Sequence, residues 1–450
     1  MCGIVGIYNH KEASTLAYLS LYALQHRGQE GVGIAAFDGE RIRAIRGAGL
    51  VAEVFEDQRK LLQLPGDIAL GHVRYSTHGD SRMENIQPLI FNYKNEQIAI
   101  CHNGNLVNWE SHKTKLEKSG ALFQTTSDSE YIIHLMARSK GETIEEKLMH
   151  ALRKVRGAYS LIIMYKDKMI AARDKYGFRP LCIGTFESTR MVASETCALD
   201  LVGAEYDRDV NPGEVLVIDS NGVKSYQIEK PRPKHCIFEY IYFSRPDSKI
   251  FGEYVDKTRR KLGKKLAMEN PAPGAEIVIS VPDSSNTTAL GYSRRSNCKF
   301  ELGLIRNHYI GRSFIHPTQG MRDFTAKLKF NPVGGVLKDR KIVIVDDSIV
   351  RGTTLKKLVR MVRKTGPKEI HIRISSPPVR FPCFYGMDFP SPEELIANQK
   401  TVAEIAEHID ADSLEYLSVD AMLDSMTLPR NHFCTACFTG KYVVPLQKDK

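Results

Sequence analysis

The chain contains the sequence KIVIVDDSIVRGTT at Lys341 to Thr354, an apolar run that leads into two aspartates and a small polar loop. The four consecutive β-branched residues at 342–345 predict a strand that is buried on both faces of a parallel sheet. The residues that follow predict an amphipathic helix, because apolar side chains recur with the spacing i, i+3, i+4, i+7 at Leu355, Leu358, Val359 and Val362. This part of the chain is therefore expected to be an α/β unit with a polar strand-to-helix loop.

The composition of that loop indicates a site for a sugar phosphate. Backbone amides at the start of a helix suit a phosphate group. The carboxylates of Asp346 and Asp347 instead suit hydroxyl groups or a bound metal ion, and a ligand with vicinal hydroxyls and a terminal phosphate meets both demands. The alternative is an ordinary strand-turn-helix with an aspartate N-cap, but a cap requires only one acid.

The same segment resembles the signature of the phosphoribosyltransferases, whose ligand is phosphoribosyl pyrophosphate (PRPP). The resemblance implies PRPP contacts at Asp346, Asp347, Ser348, Arg351, Gly352, Thr353 and Thr354. It also implies a pyrophosphate loop at 280–293 with Ser284 and Ser285, and a long basic loop at 311–333 that closes over PRPP with Arg312 and Lys327. We expect Mg²⁺ at Ser284, Asp346 and Asp347, because carboxylates are hard ligands and PRPP presents pyrophosphate oxygens.

The chain begins Met1-Cys2-Gly3-Ile4, and Cys2 becomes the first residue if an aminopeptidase removes Met1. A terminal cysteine supplies a thiol with a pKa near ~8.5 and an α-amine with a pKa near ~7.7. The amine can accept a proton near neutral pH while the thiolate attacks a carbonyl carbon. Cys2 is therefore a candidate nucleophile, although a cysteine at this position could also be there by chance.

Three further segments supply groups that amide hydrolysis requires, namely GHVRYSTHG at 71–79, CHNGNL at 101–106 and TTSDSE at 125–130. The side-chain amide of Asn103 and the backbone N–H of Gly104 are donors for a tetrahedral oxyanion. Arg74 suits the carboxylate of an amino-acid substrate and Asp128 suits its ammonium group.

This set of residues resembles the N-terminal-nucleophile glutaminases, the glutamine amidotransferase class that begins with cysteine. The resemblance implies that Cys2 is the nucleophile, that Asn103 and Gly104 form the oxyanion hole, and that Arg74 and Asp128 bind glutamine. Arg27, in the matching segment QHRGQEGVGIA at 25–35, would position the cysteine loop or close over glutamine. Three positions depart from the pattern. His78 and Arg82 leave the detailed structure of the glutamine pocket undetermined. His316 likewise leaves undetermined how the long loop closes.

Together, the two halves resemble the family of glutamine amidotransferases that act on PRPP, over nearly the whole chain. The reaction implied is hydrolysis of glutamine, followed by attack of ammonia on PRPP to give 5-phosphoribosylamine and pyrophosphate, the first step of purine synthesis. A different glutamine amidotransferase, or a non-catalytic PRPP sensor that regulates transcription, is the alternative. The acid pair Asp346 and Asp347 argues against a different amidotransferase. The candidate glutaminase residues around Cys2 argue against a non-catalytic sensor.

The distribution of strand and helix patterns predicts two main domains and a C-terminal segment. Many short strands over 2–231 predict, by the resemblance, the α+β sandwich of the N-terminal-nucleophile hydrolases. Alternating strands and helices over 232–392 predict a parallel α/β sheet, the type I phosphoribosyltransferase domain. Residues 393–450 are expected to be helical and to carry a CxxC sequence.

The nine cysteines include a possible metal site. Four thiolates, two of them from the CxxC sequence, suit zinc or a [4Fe-4S] cluster, and zinc would be favoured by the residues alone. The resemblance to the iron-sulfur branch of the family favours a structural [4Fe-4S] cluster held by Cys236, Cys383, Cys434 and Cys437. We expect the remaining cysteines to be buried apolar residues, at Cys101, Cys182, Cys197 and Cys298.

Composition limits the partners of the chain. Its 450 residues are 42% hydrophobic and 26% charged, which is typical of a globular protein. The net charge of +10 is spread without a dense basic run, so we expect it to serve anionic PRPP and not a nucleic acid. No apolar run approaches the ~18 residues of a membrane span, and we expect no membrane partner and a cytoplasmic location. The resemblance adds a homo-oligomer, tetramer or dimer, with feedback inhibition by purine nucleotides.

Overall fold

The computed structural model describes residues 1–75, 82–307, 329–389 and 391–445. The first half of the chain forms two antiparallel sheets. The strands of the seven-stranded sheet are, in spatial order, Glu205–Asp209, Cys182–Phe186, Thr189–Ala193, Gly3–Tyr8, Ile68–Arg74, Gly31–Phe37 and Ile42–Ala48. Those of the six-stranded sheet are Gly222–Gln227, Glu214–Asp219, Lys168–Arg173, Gly157–Tyr165, Glu96–Leu106 and Leu89–Tyr93.

The two sheets face each other across an apolar core. Alternate residues of their strands point into this core, among them Ile4, Leu70, Ala99 and Ile162, all fully buried. Helix Ala13–Ala23 covers the outer face of the seven-stranded sheet. Asp128–Arg138 and Ile144–Leu152 cover the six-stranded sheet. The predicted sandwich is therefore confirmed as four layers, helix on sheet on sheet on helix. Shorter elements join these layers at Gln25–Arg27, Val51–Val54, Gln58–Gln63, Met83–Asn85, Trp109–Lys118 and Cys197–Leu201.

The second half of the chain contains the predicted parallel sheet. Its five strands lie in the order Lys299–Phe300, Ile277–Ser280, Lys341–Asp346, Glu369–Ile374 and Ser413–Tyr416. Val343 and Val345 pack in the core beneath helices Val255–Glu269 and Asn286–Ser296. Ile342 and Ile344 face the opposite core, with helices Thr353–Arg363 and Val402–Ile409. Strand Lys341–Asp346 is thus buried on both faces, and the helix after it is amphipathic, as predicted.

Two parts of this half differ from the sequence interpretation. The predicted strand ELGLIR contains only Leu304–Arg306, which pairs antiparallel with Phe330–Pro332 outside the parallel sheet. The C-terminal segment is not purely helical, because its strand Ser413–Tyr416 extends the sheet. A four-residue run has too little periodicity to distinguish a strand from a helix, and the open sheet edge decides the outcome.

The remaining elements are short. They are two-residue strand pairs, a π-helical turn and single helical turns, at His235–Cys236 with Phe433–Cys434, Lys249–Ile250 with Glu253–Tyr254, Glu239–Phe243, Gly334–Leu337, Pro392–Glu394, Ile396–Gln399, Val419–Asp424, Arg430–His432 and Ala436–Thr439. Within the described ranges, no helix combines the length and apolar character needed to cross a bilayer.

Two glycines bring the helices Val255–Glu269 and Asn286–Ser296 into direct backbone contact. A Cβ atom added at Gly263 would lie 1.9 Å from the carbonyl oxygen of Thr288. One added at Gly291 would lie 2.2 Å from the carbonyl oxygen of Arg260. Side chains larger than hydrogen would therefore push apart the two helices that cover one face of the parallel sheet.

Replacing one of these glycines should destabilise the protein. We expect Gly263→Ala to lower the free energy of unfolding by about 1–3 kcal/mol or more, because a methyl group cannot fit without a backbone shift. The measurement is the midpoint and slope of urea-induced unfolding. Gly335→Ala is the control, since its Cβ would meet nothing within 4 Å. Equal midpoints for the two variants would contradict the close helix contact.

Candidate active sites

Cys2 lies half-buried where the central strand Gly3–Tyr8 begins. Its backbone nitrogen donates a hydrogen bond to Oδ1 of Asn103 at 3.2 Å, and its Sγ is 3.7 Å from the carbonyl oxygen of Tyr75. Nε of Arg27 donates to the carbonyl oxygen of Cys2 at 3.0 Å. The fold therefore brings Cys2, Asn103 and Arg27 together from three separate segments.

The oxyanion candidates lie on strand Glu96–Leu106 beside Cys2. Asn103 is fully buried, and its Nδ2 has no hydrogen-bond partner within the described part of the chain. Buried donors are rarely left unpaired, so this one is available to an acceptor from a substrate. Gly104 packs so tightly that a Cβ there would lie 2.1 Å from the carbonyl oxygen of Ala158, and only glycine fits.

The two predicted glutamine-binding residues are both buried next to this strand. Arg74 ends strand Ile68–Arg74, and its guanidinium donates to the carbonyl oxygen of Arg82 at 3.3 Å. Asp128 begins helix Asp128–Arg138, and its Oδ2 accepts from the backbone N–H of Leu106 at 2.9 Å. Its other oxygen is 3.3 Å from Nδ1 of His102. Burial opposes charge on that ring, but the Asp128 carboxylate raises the pKa of His102.

Of the departures from the family pattern, Arg82 lies in the described chain. Its carbonyl oxygen contacts Arg74, whereas its own side chain is exposed and pairs with Glu84 at 3.7 Å. His78, His316, Arg312 and Lys327 lie outside the described residues.

Arg27 belongs to a buried charge cluster that sequence reasoning missed. It pairs with Glu195 and, at 3.0 Å, with Glu239, which also pairs with Arg179 at 3.4 Å. All four side chains are fully buried, and their two positive and two negative charges balance. Although burial opposes charge, His26 and Arg27 hold the pKa of Glu195 well below its usual range. The one sequence signal for such a cluster is a lone acid in the apolar run IFEYIYF at 237–243.

The predicted PRPP residues converge at the carboxyl edge of the parallel sheet, where open α/β sheets bind ligands. Ser284 Oγ donates to Asp347 Oδ2 at 2.6 Å, and Ser285 Oγ donates to Asp346 Oδ1 at 3.1 Å. Ser348 Oγ donates to the other oxygen of Asp347 at 2.6 Å. The pyrophosphate-loop serines and the acid pair are therefore in direct contact.

The acid pair has the electrostatic character of a cation site. Burial and the neighbouring carboxylate of Asp347 raise the pKa of Asp346 well above its ordinary value, and burial also raises the pKa of Asp347. A hard cation would relieve this repulsion, and the carboxylate and hydroxyl oxygens present are ligands that Mg²⁺ accepts. In the described ranges, no group of three or more His, Cys, Asp and Glu residues is gathered around one ion position. The serine hydroxyls and a substrate would have to complete the coordination.

The phosphate loop leads into helix Thr353–Arg363. Gly352 precedes the helix with φ +75°, a conformation that favours glycine, and Thr353 and Thr354 are exposed in its first turn. The Arg351 guanidinium pairs with Glu394, because its Nε and Nη2 both lie 2.8 Å from Oε2 of that residue.

The four cysteines of the predicted metal site line one cavity, at Cys236, Cys383, Cys434 and Cys437. Within the described residues, however, no three of them lie close enough together to form a metal-binding group. Cys236 and Cys434 are direct partners in a short parallel strand pair. Burial raises the pKa of Cys236 to about 11 and that of Cys434 to about 12, so both thiols are protonated at neutral pH unless a metal displaces the protons. Aromatic side chains line the rest of the cavity, including Phe178, Phe238, Tyr385 and Phe389. This donor set suits zinc or an iron-sulfur cluster.

Comparison with known proteins agrees with both halves. The glutamine amidotransferase domain family matches residues 72–201, and the phosphoribosyl transferase domain family matches residues 276–375. Amidophosphoribosyltransferase 1, chloroplastic, from Arabidopsis thaliana is 51% identical over 446 residues, which cover 98% of this chain and 78% of that protein.

Bacterial relatives are similar over their whole length. Amidophosphoribosyltransferase from Bacillus subtilis (strain 168) is 46% identical over 454 residues, covering 100% of this chain and 95% of that protein. The solved structure of glutamine PRPP amidotransferase from B. subtilis, complexed with ADP and GMP, matches with a TM-score of 0.94 and 46% identity. The match covers 100% of this chain and 98% of that one. The chain therefore belongs to the amidophosphoribosyltransferase family, the glutamine amidotransferases that carry out the first step of purine biosynthesis.

Proposed function

We propose that the two sites divide the reaction between them, with glutamine hydrolysed at Cys2 and ammonia passed to PRPP at Asp346 and Asp347. The observation that carries this proposal is the buried, unpartnered Nδ2 of Asn103, on a side chain that already holds the backbone of Cys2. A donor buried without a partner is a cost to the fold, and an oxyanion that forms during amide hydrolysis would relieve it.

In the first half-reaction, the Cys2 thiolate attacks the side-chain carbonyl carbon of glutamine. Asn103 Nδ2 and the Gly104 N–H stabilise the oxyanion. As the C–N bond breaks, the α-ammonium of Cys2 gives its proton to the leaving nitrogen, so that ammonia departs and a thioester remains on Cys2. Water then hydrolyses the thioester to glutamate. Arg74 and Asp128 hold the α-carboxylate and α-ammonium of the substrate, and Arg27 holds the carbonyl of Cys2 at 3.0 Å. This role for Cys2 requires that Met1 be removed, so that the α-amine can accept the thiol proton.

In the second half-reaction, the nitrogen of ammonia bonds to the anomeric carbon of PRPP, the bond from that carbon to pyrophosphate breaks, and ammonia loses a proton. The acid pair at 346–347 accepts hydrogen bonds from the ribose hydroxyls. Ser348, Gly352, Thr353 and Thr354 bind the 5-phosphate, aided by the start of the helix. Ser284 and Ser285 hold the pyrophosphate, and Arg351, Arg312 and Lys327 remain predicted contacts.

We propose Mg²⁺ as a ligand of Ser284, Asp346 and Asp347. When bound, it would neutralise pyrophosphate oxygens and so favour departure of that group. The contact of the Ser284 hydroxyl with Asp347 supports a shared site, because the serine and the acid pair already lie within 2.6 Å.

We propose a [4Fe-4S] cluster for the four-cysteine cavity, with structural Zn²⁺ as the second candidate. Thiolates that surround a cavity leave room for a cluster larger than a single ion. The ligands come from the strand pair at 235–236 and 433–434 and from the segment around Cys383. The group would therefore tie the CxxC segment near the end of the chain to the segments around Cys236 and Cys383, without a redox step.

Further proposals concern regulation, domain boundaries, assembly and location. The relative solved with ADP and GMP supports purine nucleotides as inhibitors of this chain. We keep the domain boundaries 2–231, 232–392 and 393–450, although strand Ser413–Tyr416 argues that the third segment is built onto the second domain. A homo-oligomer, tetramer or dimer, and a cytoplasmic location remain proposals, and the chloroplastic relatives offer the alternative to that location.

The first variant to make is Cys2→Ala. Wild-type protein should release glutamate and pyrophosphate in matched amounts from glutamine, PRPP and Mg²⁺, under anaerobic conditions. The variant should lose glutamine-dependent activity by at least about 10³-fold, because the nucleophile is gone. It should keep ammonia-dependent pyrophosphate release, with Cys298→Ala as the control. Glutamine-dependent activity in Cys2→Ala would refute the assignment of the nucleophile.

The second variant addresses the acid pair. Asp347→Asn should lower kcat/KM for PRPP by at least about tenfold with either glutamine or ammonia, because a charged hydrogen-bond acceptor for ribose and metal is lost. The measurement is pyrophosphate release as a function of PRPP concentration. Asp420→Asn, at an exposed ion pair with Arg430, is the control. Unchanged kinetics in Asp347→Asn would exclude the ribose-binding role.

The third prediction concerns the cysteine cavity. Anaerobically purified protein should contain about four iron atoms and four sulfides per chain and absorb visible light. Cys434→Ser should lose the iron and the absorbance, whereas Cys298→Ser should keep both. Metal analysis by plasma mass spectrometry and a sulfide assay provide the readout. One zinc ion per chain and no sulfide would favour the alternative.

A further inference from the structure

Arg259 is a buried arginine whose hydrogen-bond partners in the described chain are backbone carbonyl oxygens. It lies on helix Val255–Glu269 with 1% of its surface exposed. Its guanidinium donates to three backbone carbonyl oxygens, those of Tyr240 at 2.7 Å, Ser244 at 2.8 Å and Ser284 at 3.4 Å. In the described part of the chain, no carboxylate oxygen lies within ion-pair distance of it. Burial lowers the pKa of Arg259 to about 10, so it remains charged at neutral pH.

One of these carbonyls, that of Ser284, belongs to a residue of the proposed PRPP site. Ser284 accepts from Arg259 through its backbone, and its side chain donates to Asp347 Oδ2 at 2.6 Å. Asp347 also feels the charge of Arg259, which works against the effect of burial on the pKa of Asp347. The Ser284 hydroxyl is also the group proposed above to bind pyrophosphate and Mg²⁺, so it would turn from Asp347 toward the ligand when PRPP binds. PRPP binding would therefore disturb the residue that Arg259 holds.

Another carbonyl, that of Ser244, belongs to a residue that is connected to Cys2 by a series of hydrogen bonds. Ser244 accepts from Arg259 through its backbone, and its hydroxyl donates to Oε2 of Glu239 at 2.7 Å. Glu239 accepts from Nη1 and Nη2 of Arg27 at 3.1 and 3.0 Å. Nε of Arg27 donates to the carbonyl oxygen of Cys2 at 3.0 Å. Hydrogen bonds thus run without a gap from the candidate nucleophile to the acid pair.

We propose that Arg259, Ser244 and Glu239 are positioning residues that transmit occupation of the PRPP site to Cys2 through Arg27. We name this set, with Arg27 and Ser284, the Arg259 relay. The proposal rests on the two half-reactions assigned above.

Burial is what makes the relay suitable for this task. Arg27 and Glu239 are fully buried, and Ser244 and Arg259 are 1% exposed, so water cannot substitute for a broken bond among these four residues. Ser284, at the PRPP end of the relay, is partly exposed. Close-packed interiors transmit strain, and charged hydrogen bonds with fixed partners have few alternative arrangements. A shift of Ser284 would therefore move Arg259 and, through Ser244 and Glu239, the guanidinium that holds Cys2.

The competing explanation is that Arg259 has only a structural role, in which it joins the π-helical turn Glu239–Phe243 to its own helix. We call this structural role a staple. Two of its three acceptors, Tyr240 and Ser244, lie in or directly after that turn. A staple would affect the thermal stability of the protein. It would not affect the factor by which PRPP stimulates glutamate formation, and this factor separates the two roles.

The test uses Ser244→Ala and Arg259→Lys in the full-length protein with its metal sites loaded. Ser244→Ala removes only the hydroxyl that contacts Glu239, so it tests the relay even if Arg259→Lys fails to fold. The measurements are glutamate release with and without PRPP, ammonia-dependent pyrophosphate release, and the thermal midpoint. Arg260→Lys is the matched control, because this neighbour on the same helix is partly exposed and pairs with Asp256 at 2.8 Å.

We expect each relay variant to reduce the PRPP stimulation of glutamate release by about fivefold or more, the low end of typical couplings between sites. Basal glutamate release in Ser244→Ala should stay within about threefold of wild type, since the hydroxyl contacts no substrate. The double variant should be no worse than the more severe single variant, because both break one pathway. Arg260→Lys should behave as wild type.

Unchanged stimulation in Ser244→Ala and Arg259→Lys, in a wild-type protein that PRPP does stimulate, would overturn the relay and favour the staple. Additive losses in the double variant would also overturn a single pathway. Failure of the assigned half-reactions is a separate result, because the wild type itself would then release no glutamate or no pyrophosphate.

Discussion

The interaction on which the rest of the structure depends is the buried ion-pair cluster of Arg27, Glu195, Glu239 and Arg179. Glu195 follows strand Thr189–Ala193 of the seven-stranded sheet, and Glu239 lies in the π-helical turn of the second half. All four side chains are excluded from water. Removing one member of such a cluster leaves a buried charge unbalanced, at a cost of about 3–5 kcal/mol. The cluster therefore holds the two halves of the chain in one arrangement, with Cys2 at its edge.

A second constraint acts on strand Glu96–Leu106, which carries Asn103 and Gly104. Nδ2 of Asn105 donates to the carbonyl oxygen of Phe384 at 3.0 Å, directly after the cavity residue Cys383. A Cβ at Gly386 would lie 3.1 Å from the backbone of Gly104. The segment that supplies Cys383 to the cavity thus also packs against strand Glu96–Leu106. Whatever fills the cavity would stiffen the wall behind the glutaminase site.

Both sites use strand ends to hold reactive groups on rigid elements. Cys2 precedes a central strand, Arg74 ends the neighbouring strand, and Asp346 ends a central strand of the parallel sheet. Strands buried on both faces have little freedom to move, so the groups at their ends are placed accurately. The loops that complete the sites supply hydroxyls and backbone amides, which suits a substrate with many oxygen atoms.

The sequence by itself determined the local elements and the chemistry of the sites. The apolar run before Asp346 and the periodicity of Leu355, Leu358 and Val362 are local signals, and both elements formed as predicted. Likewise, the residue types at Cys2, Asn103 and Asp347 indicated nucleophile, donor and acid before any fold was known. The elements could be predicted because backbone period depends on neighbouring residues alone, whereas the roles of Cys2, Asn103 and Asp347 stay predictions.

Only the tertiary structure decided which distant groups meet. Arg27 and Glu239 are separated by 212 positions, so no local pattern could pair them. Ser284 and Asp347 are 63 positions apart, and only the family resemblance had placed them together. The short strand Ser413–Tyr416 formed because it pairs with the open edge of the parallel sheet. Arg259 contacts both Ser244 and Ser284 because its helix places the guanidinium between these two segments. Contacts of this kind arise from long-range packing, where burial removes water and leaves each polar group only the partners that the fold supplies.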